Sequence, residues 1–266
     1  MTGANTISTG KGASDSPDGG DDPWSNLAAE LDAWRRAGLT ARFWWRDDDA
    51  TQPGPLLDRL LDIAGPMPVS LAVIPATARE TLAERLAAHN RQGGDAMVLQ
   101  HGYAHANHAP PGEKKAEFGD HRPLESMLDE LTRGRRRLED LFGAIFEPCL
   151  TPPWNRIGEG LLGNLHRAGL QGLSRFGPRK AGEGDRVVNT HVDIVDWHRG
   201  RGFVGDRAAL GAAVRHLAAR RAGAAEMAEP TGLLTHHRDH DEACWRFVAA
   251  FRAAIEAHPA AEWVSP

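Results

Sequence analysis

The alternation of short apolar runs with longer segments of helical periodicity is the feature that most restricts how this chain can fold. Apolar residues recur at helical spacing over residues 56–64 and 124–142, whereas the apolar runs at 43–45 and 96–99 are too short for a helix. Such runs are typical of buried strands, and helices of about ten or more residues between them are typical of crossovers between parallel strands. The sequence therefore predicts an α/β fold with a parallel sheet.

Extended over the chain, the same pattern predicts about seven strands and no internal repeat. No glycine-rich strand-to-helix sequence of the nucleotide-binding kind is present, which favours a barrel over an open doubly wound sheet. We expect one domain over residues 23–266. The predicted strands are 43–46, 69–74, 96–99, 145–150, 172–176, 187–195 and 232–235, with a short addition at 262–264, and the predicted helices are 27–34, 56–64, 77–92, 124–142, 157–168, 208–222 and 242–257.

Residues 1–22 have a different composition from the rest of the chain. They are rich in Gly, Ser, Thr, Asp and Asn and contain hardly any bulky apolar side chains. Such a segment cannot bury enough surface to offset the entropy of ordering it, so we predict a disordered N-terminal tail. The segment also lacks the basic stretch and apolar core of a secretory signal, and we expect a cytoplasmic protein.

Charge and composition exclude several classes of function. The formal net charge is -5 over 266 residues, which gives no reason to expect binding to nucleic acid or anionic lipid. No apolar run approaches the ~18–20 residues that cross a bilayer. The cysteines, Cys149 and Cys244, are far apart and indicate neither a disulfide scaffold nor a cysteine zinc site. The expected partner is a small molecule or an oligosaccharide, and the oligomeric state is left open.

Polar and aromatic clusters come directly after five of the predicted strands. In a parallel barrel the carboxyl ends of the strands converge on one face, where catalytic groups lie. A solvated-loop interpretation gives no reason for this coincidence, so we expect the clusters to form one site. They occupy residues 47–49, 101–108, 152–155, 196–197 and 236–237.

The residue types in these clusters favour metal chemistry. Three consecutive acids, Asp47, Asp48 and Asp49, repel one another unless a cation neutralises them. His101 and His105 are spaced to present two imidazoles together. Taken singly, the acids could cap a helix and the histidines could be surface or core residues. Together, two imidazoles and one carboxylate suit a divalent transition metal, with zinc first and iron, cobalt, nickel or manganese as alternatives.

Such a site has an obvious reaction type. A second carboxylate beside the ion can take a proton from water, and a histidine opposite can give a proton to a departing amine. The cation stabilises the oxyanion of a tetrahedral intermediate. The residues therefore predict hydrolysis of an amide or an ester.

In their order along the chain, the clusters resemble the five short motifs of the polysaccharide deacetylase family, which includes chitin and peptidoglycan N-deacetylases. The resemblance covers roughly residues 40–265. It implies a distorted (β/α)7 barrel of NodB-like type and a metal-dependent hydrolase that removes an acyl group, usually acetyl, from an N-acylated saccharide.

The first two motifs carry the metal and the base in this resemblance. Asp47 would be the general base and Asp48 the metal ligand, while Asp49 occupies the position where the family usually has glycine. His101 and His105 would complete the ligand set. Within the second motif, Gly102 replaces the usual Ser or Thr, and nearby Tyr103 and His108 are expected on the substrate side.

The remaining motifs supply substrate contacts and the acid. In the third, Pro153, Trp154 and Asn155 resemble the family, but the arginine that would orient the base is absent. The fourth resembles residues 193–197, with Asp196 as the acid that orients a histidine and Trp197 as a substrate-facing indole. The fifth makes His236 the general acid, with His237 as the alternative.

Other functions remain open from the sequence. The missing arginine motivates a catalytically inactive, carbohydrate-binding barrel. A cytoplasmic enzyme does not meet cell-wall polymer, which motivates a soluble acetylated saccharide, a glycan precursor or a non-sugar C–N bond as substrate. A non-haem iron oxygenase would use the same ligand types, but the alternating helix and strand pattern argues against it.

Overall fold

The structure is a computed structural model that describes residues 22–265. The predicted tail therefore lies outside the described residues, apart from Asp22. This residue caps the first helix, because its carboxylate accepts the backbone N–H groups of Trp24 and Ser25. Between residues 22 and 265, no helix is both long enough and apolar enough to span a bilayer.

Strands and helices alternate along the described chain, as the periodicity predicts. The strands are β1 (Ala41–Ala50), β2 (Pro68–Val73), β3 (Asp95–His101), β4 (Phe146–Thr151), β5 (Gly172–Leu173), β6 (Val192–Asp193), β7 (Thr231–Thr235) and β8 (Ala261–Trp263). The helices are α1 (Pro23–Arg36), α2 (Pro55–Ala64), α3 (Glu80–Arg91), α4 (Leu124–Phe142), α5 (Glu159–Leu162), α6 (Asp206–Arg221) and α7 (Glu242–Ala257).

The strands form one curled parallel sheet in the order β5-β4-β3-β2-β1-β7-β6, with β8 paired to the start of β1. The architecture is that of a distorted (β/α)7 barrel, so the predicted fold class is confirmed. The distortion lies between β5 and β6, which are two residues long each and are linked through the chain between them by isolated bridges such as Leu173–Val187. Because every ladder is parallel, the carboxyl ends of the strands share one edge.

The pleat of β1 separates an inner core from an outer one. Trp44 points into the barrel and packs with Ala72 and Leu99, whereas Phe43 and Trp45 belong to the larger core between the sheet and the helices. This is the period of two expected of a strand that is buried on both faces. The same alternation continues through Arg46 to Asp47 and Asp48.

A close approach at Gly232 helps to close the barrel on its irregular side. The indole Nε1 of Trp44 crosses β7 and donates to the carbonyl of Asn189 at 2.9 Å. A Cβ at position 232 would lie 2.3 Å from that nitrogen and 2.6 Å from that carbonyl oxygen. Only a glycine therefore fits at this point of β7.

Several predicted elements have different bounds in the structure, among them the strand 172–176, which is reduced to β5. The predicted helix 157–168 is broken into α5 and a 3-10 turn over Leu165–Ala168, with Gly163 between them. The predicted strand 187–195 contributes only β6 to a ladder. β1, in contrast, continues through all three acids to Ala50, because Asp47 pairs with both Leu71 of β2 and Thr235 of β7.

Candidate active site

A β-bulge at the end of β1 points the three acids in different directions. Asp48 and Asp49 of β1 lie opposite the single residue Ala72 of β2, since Asp47 pairs with Leu71 and the next paired residue is Ala50. Asp49 has a φ of 72°, which is uncommon for a residue other than glycine. Bulges of this kind redirect side chains, and here the bulge turns Asp49 towards the carboxyl edge of the sheet.

Asp49 is the acid that lies between the two predicted histidine ligands. Its Oδ1 is 3.2 Å from Nε2 of His101 and 3.4 Å from Nε2 of His105. The resemblance implies Asp48 in this place, so the acid beside the imidazoles is one residue later than predicted. His101 is the last residue of β3, whereas His105 lies in the following loop with a φ of 57°, so the two do not share a helix.

The hydrogen bonding of His101 indicates a cation site. Its Nδ1 is 2.9 Å from the carbonyl oxygen of Thr151, which can only accept, so Nδ1 carries the ring proton. Nε2 then presents a lone pair to a carboxylate oxygen of Asp49 that is buried and has no hydrogen-bond donor among the described residues. A neutral ring and a carboxylate that face each other in this way need a metal ion between them, or else a second proton on the ring. Burial lowers the pKa of His101, but the carboxylates of Asp48 and Asp49 outweigh it and raise that pKa.

The spacing of these atoms fits a small divalent ion. In a tetrahedral site with bonds of ~2.0–2.1 Å, the ligand atoms lie ~3.3–3.4 Å apart, close to the two distances from Asp49. Burial raises the pKa of Asp49, but His101 and His105 outweigh it and hold that pKa far below its usual range. The residues present therefore fit a metal of the zinc type.

Asp48 points into the barrel, where a buried arginine holds it. Nε of Arg46 is 2.8 Å from Oδ1 of Asp48, and Nη2 is 3.1 Å from Oδ2. Arg46 has no exposed surface and also donates to Ser174 Oγ at 2.6 Å and to Asn155 Oδ1 at 2.8 Å. The third motif lacks an arginine, and the arginine that contacts this acid comes instead from β1. Its spacing of two residues from Asp48, on one face of a strand, could have identified it.

Asp47 lies on the opposite, outer face of β1. Its Oδ2 accepts Thr235 Oγ1 at 2.6 Å and the backbone N–H of His237 at 2.9 Å, and its Oδ1 pairs with Nδ1 of His237. The side chains of Asp47 and His237 are both buried, and Trp45 Nε1 donates to Thr235 Oγ1 at 2.8 Å. The predicted base and the alternative acid therefore pair with each other beneath the site, where they anchor the end of β7.

His236 turns the other way and joins the inner acids. Its Nε2 is 3.9 Å from Oδ2 of Asp48, and its ring contacts the exposed indole of Trp197 edge-on, with centroids 4.6 Å apart. Trp197 Nε1 donates to Asp193 Oδ2 at 2.8 Å. Burial raises the pKa of Asp193, and the nearby His236 opposes that rise.

Asp193, and not Asp196, is thus the acid beside the His236–Trp197 pair. Asp196 lies in the next turn, where its Oδ1 accepts the backbone N–H groups of His198 and Arg199, both at 3.0 Å. The sequence could not separate the two acids because both flank the same apolar pair.

The third-motif residues form the opposite wall. Trp154 and Asn155 both have positive φ angles, 57° and 56°, in a tight turn after β4. The Trp154 ring lies 4.5 Å from the ring of His105, and Pro153 packs against Gly102 below it. The predicted residues Pro153, Trp154 and Asn155 are therefore all brought to the site.

Tyr103 and His108 are not brought to the site either. The ring of Tyr103 lies under the guanidinium of Arg133, 4.8 Å from its centroid, and packs beside α4. His108 is exposed in the loop, where its backbone N–H donates to the carbonyl of Ala116. Glu117, which no sequence pattern indicates, is fully buried behind this loop.

A second pair of histidines with a carboxylate lies at the irregular side of the barrel. His191 Nε2 is 3.4 Å from Glu229 Oε1, and His216 Nε2 is 3.6 Å from Glu229 Oε2. The two rings are stacked, with centroids 3.4 Å apart and planes 15° apart. Burial lowers the pKa of His191 to about 4. Glu229 also accepts the backbone N–H of Arg179.

Solved structures of related fold are found among carbohydrate-active enzymes. No protein-family model and no curated protein sequence matches the chain. A CE4 esterase of Streptococcus mutans is similar over 90% of each chain, with 14% identity and a TM-score of 0.52. The chitin deacetylase of the fungal pathogen Colletotrichum lindemuthianum is similar over 85% of each chain, with 14% identity and a TM-score of 0.50.

A family 4 carbohydrate esterase from Streptomyces lividans, in complex with acetate, is similar over 82% of this chain and 89% of that chain, with 14% identity and a TM-score of 0.50. The chain therefore has the fold of the polysaccharide deacetylases and family 4 carbohydrate esterases. The resemblance predicted from the motifs is confirmed at this level.

Proposed function

We propose that this chain is a metal-dependent hydrolase that removes an acyl group from an N-acylated saccharide. Acetyl is the acyl group that we propose first. The observation that carries the proposal is the meeting of Asp49, His101 and His105 beside a second, clamped carboxylate, Asp48. The names of the solved structures, which include a chitin deacetylase and a carbohydrate esterase with acetate, support the same substrate class.

The ion would be held by Asp49, His101 and His105. The acidic ligand is thus one residue later than the resemblance implies. Zinc is the first ion to test, since two imidazoles and a carboxylate suit it, and iron, cobalt, nickel and manganese suit the same donors. A divalent ion bound there supplies Lewis-acid polarisation of the substrate carbonyl and makes water more acidic.

Asp48 acts as the general base in this proposal, in place of Asp47. The guanidinium of Arg46 holds both carboxylate oxygens of Asp48, which fixes the group in one orientation. Asp48 takes a proton from the water that attacks the carbonyl carbon. Because it is buried on the inner face of β1, it can do so without competing solvent.

His236 acts as the general acid. When the tetrahedral intermediate collapses, the C–N bond breaks and Nε2 of His236 gives its proton to the departing nitrogen, so that an amine and a carboxylic acid leave. Trp197 and Asp193 hold this ring from one side. Asp48 and His236 lie close enough to act on the two ends of one reaction.

The surroundings of the site bear on the alternatives. The absence of an arginine from the third motif motivated the alternative of an inactive, carbohydrate-binding barrel. In this proposal Arg46 supplies the missing contact to the base. Indoles stand beside both sets of reacting groups, Trp154 against His105 and Trp197 against His236, which favours a substrate with apolar ring faces such as a pyranose. Hydrolysis of a non-sugar C–N bond would use the same residues. The cytoplasmic location stays a prediction, and it favours a small, soluble acetylated saccharide.

The proposal is tested by acetate release from N-acetylated mono- and oligosaccharides and from non-sugar acetamides, with the zinc- and cobalt-loaded protein. We expect Asp48→Asn to keep the bound metal and to lower turnover by about 10²–10⁴-fold. Asp196→Asn is the matched control and keeps wild-type turnover. Asp47→Asn should act on stability more than on turnover. A loaded wild-type protein that releases no acetate from any substrate in the panel would contradict the proposal.

A further inference from the structure

The loop that carries His105 has no regular structure of its own. β3 ends at His101, and the next residues pass through Gly102, with a φ of 58°, to His105, with a φ of 57°. Neither a helix nor a strand ladder therefore fixes the position of one imidazole relative to the other. Some other contact must hold the loop in a shape that keeps both Nε2 atoms near Asp49.

Gln100 and Ala76 donate to the carbonyls of Gly102 and Tyr103, and the amides that follow are held by Glu117, twelve residues after His105. Its carboxylate accepts the backbone N–H of Tyr103 at 3.2 Å through Oε2, and those of Ala104 and Ala106 at 2.8 and 3.4 Å through Oε1. The residue has no exposed surface. Three converging N–H groups are a binding site for an anion, and a buried carboxylate fills it.

Gly102 is the counterpart of this contact. A Cβ at position 102 would lie 2.1 Å from Oε2 of Glu117 and 2.7 Å from the side chain of Pro153. The Glu117 carboxylate thus takes the space that a side chain at position 102 would need. This is the position where the resembled motif has Ser or Thr, so the glycine and the distant glutamate belong together.

We propose that Glu117 is a positioning residue that shapes the 102–106 loop and thereby places His105 for metal binding, with Gly102 leaving room for its carboxylate. The proposal rests on the proposed metal site. Arg122 fixes the glutamate in turn, because it donates to the backbone carbonyl of Glu117 at 3.0 Å and pairs with Glu130.

Glu117→Gln is the test variant because it keeps the size of the side chain. Both carboxylate oxygens accept N–H groups, so an amide must turn its NH₂ towards at least one donor in either orientation. We expect zinc affinity, measured by chelator competition, to fall about 10–100-fold, as for contacts that orient a metal ligand. The visible spectrum of the cobalt-loaded protein should also change.

Hydrogen exchange of the metal-free protein gives a readout that is independent of the metal. The amides of Tyr103, Ala104 and Ala106 should exchange at least tenfold faster in Glu117→Gln, while those of β3 stay unchanged. Glu113→Gln, at an exposed glutamate of the same loop, should leave affinity, spectrum and exchange as in the wild type.

Wild-type zinc affinity together with wild-type exchange in Glu117→Gln overturns the proposal. If the wild type binds no zinc, the proposed function fails, and the exchange rates alone still decide whether Glu117 holds the loop. If Glu117→Gln does not fold, Gly102→Ala replaces it, since its Cβ displaces the same carboxylate. Loss of zinc affinity in Gly102→Ala supports the pairing of Gly102 with Glu117, and wild-type affinity in this variant rejects it.

Discussion

Two groups of two histidines and one carboxylate occur within residues 22–265, and they differ in the angle between their rings. At the mouth of the barrel, the rings of His101 and His105 are 5.0 Å apart and inclined by 54°, and both point Nε2 at one oxygen of Asp49. At the irregular side, the rings of His191 and His216 are 3.4 Å apart and nearly parallel.

This difference decides which group can hold an ion. An imidazole binds a metal in its ring plane at ~2.0–2.1 Å, and two nearly parallel planes share no point at that distance. In addition, Nδ1 of His191 accepts the backbone N–H of Gly232 at 3.0 Å, so its Nε2 carries the proton and faces Glu229 as a donor. We interpret the second group as a hydrogen-bonded structural cluster. Residue types and proximity alone therefore do not define a metal site.

The largest expected effect is on metal binding. His105→Ala and Asp49→Ala should lower zinc affinity at least ~100-fold, because each removes a ligand from a set of three. His216→Ala, the matched change in the second group, should leave both affinity and stoichiometry as in the wild type. Zinc content after dialysis and chelator competition measure this. Equal loss in His216→Ala would show that the two groups are equivalent, against the geometry.

A change at Glu229 should act on stability instead. Glu229→Gln places an amide NH₂ against a buried N–H of Arg179 or against a buried imidazole, and we expect a loss of about 1–3 kcal/mol in the free energy of unfolding. Urea denaturation of the metal-free protein measures it. Unchanged stability would mean that the second cluster contributes nothing to the fold.

The smallest expected effect is a dependence of stability on pH. Burial lowers the pKa of His191 to about 4, below the value of ~6.5 in an unfolded chain, so the unfolded state takes up its proton first as pH falls. The contribution of His191 to the free energy of unfolding is therefore present above pH ~6.5. It falls by about 1–2 kcal/mol when the pH is lowered to ~5.

His191→Asn tests the pH effect because its amide oxygen can still accept the N–H of Gly232. The difference in unfolding free energy between pH ~7.5 and pH ~5 should shrink in this variant, with His166→Asn, at an exposed histidine, as the control. An equal difference in His191→Asn and in the wild type would assign the acid sensitivity to other groups.

The candidate site shows where prediction from sequence stopped. The histidine pair and the acidic run were identified because their residue types follow short apolar runs. The roles within Asp47–Asp49 were not, because strand alternation sends Asp47 outward and Asp48 inward, and only the bulge opposite Ala72 turns Asp49 to the imidazoles. Glu117 was missed because it acts through the backbone of a loop that is distant in sequence.

The amino-acid sequence by itself determined the order of helices and strands and the clustering of reactive residues at one edge of the sheet. Both follow from local periodicity and from the rule that parallel strands end on the same side. The tertiary structure decided which acid meets the imidazoles, which arginine holds Asp48 and which histidine pair is stacked. Those outcomes depend on a one-residue bulge, on backbone φ angles and on ring orientations, and contacts between distant segments set all three.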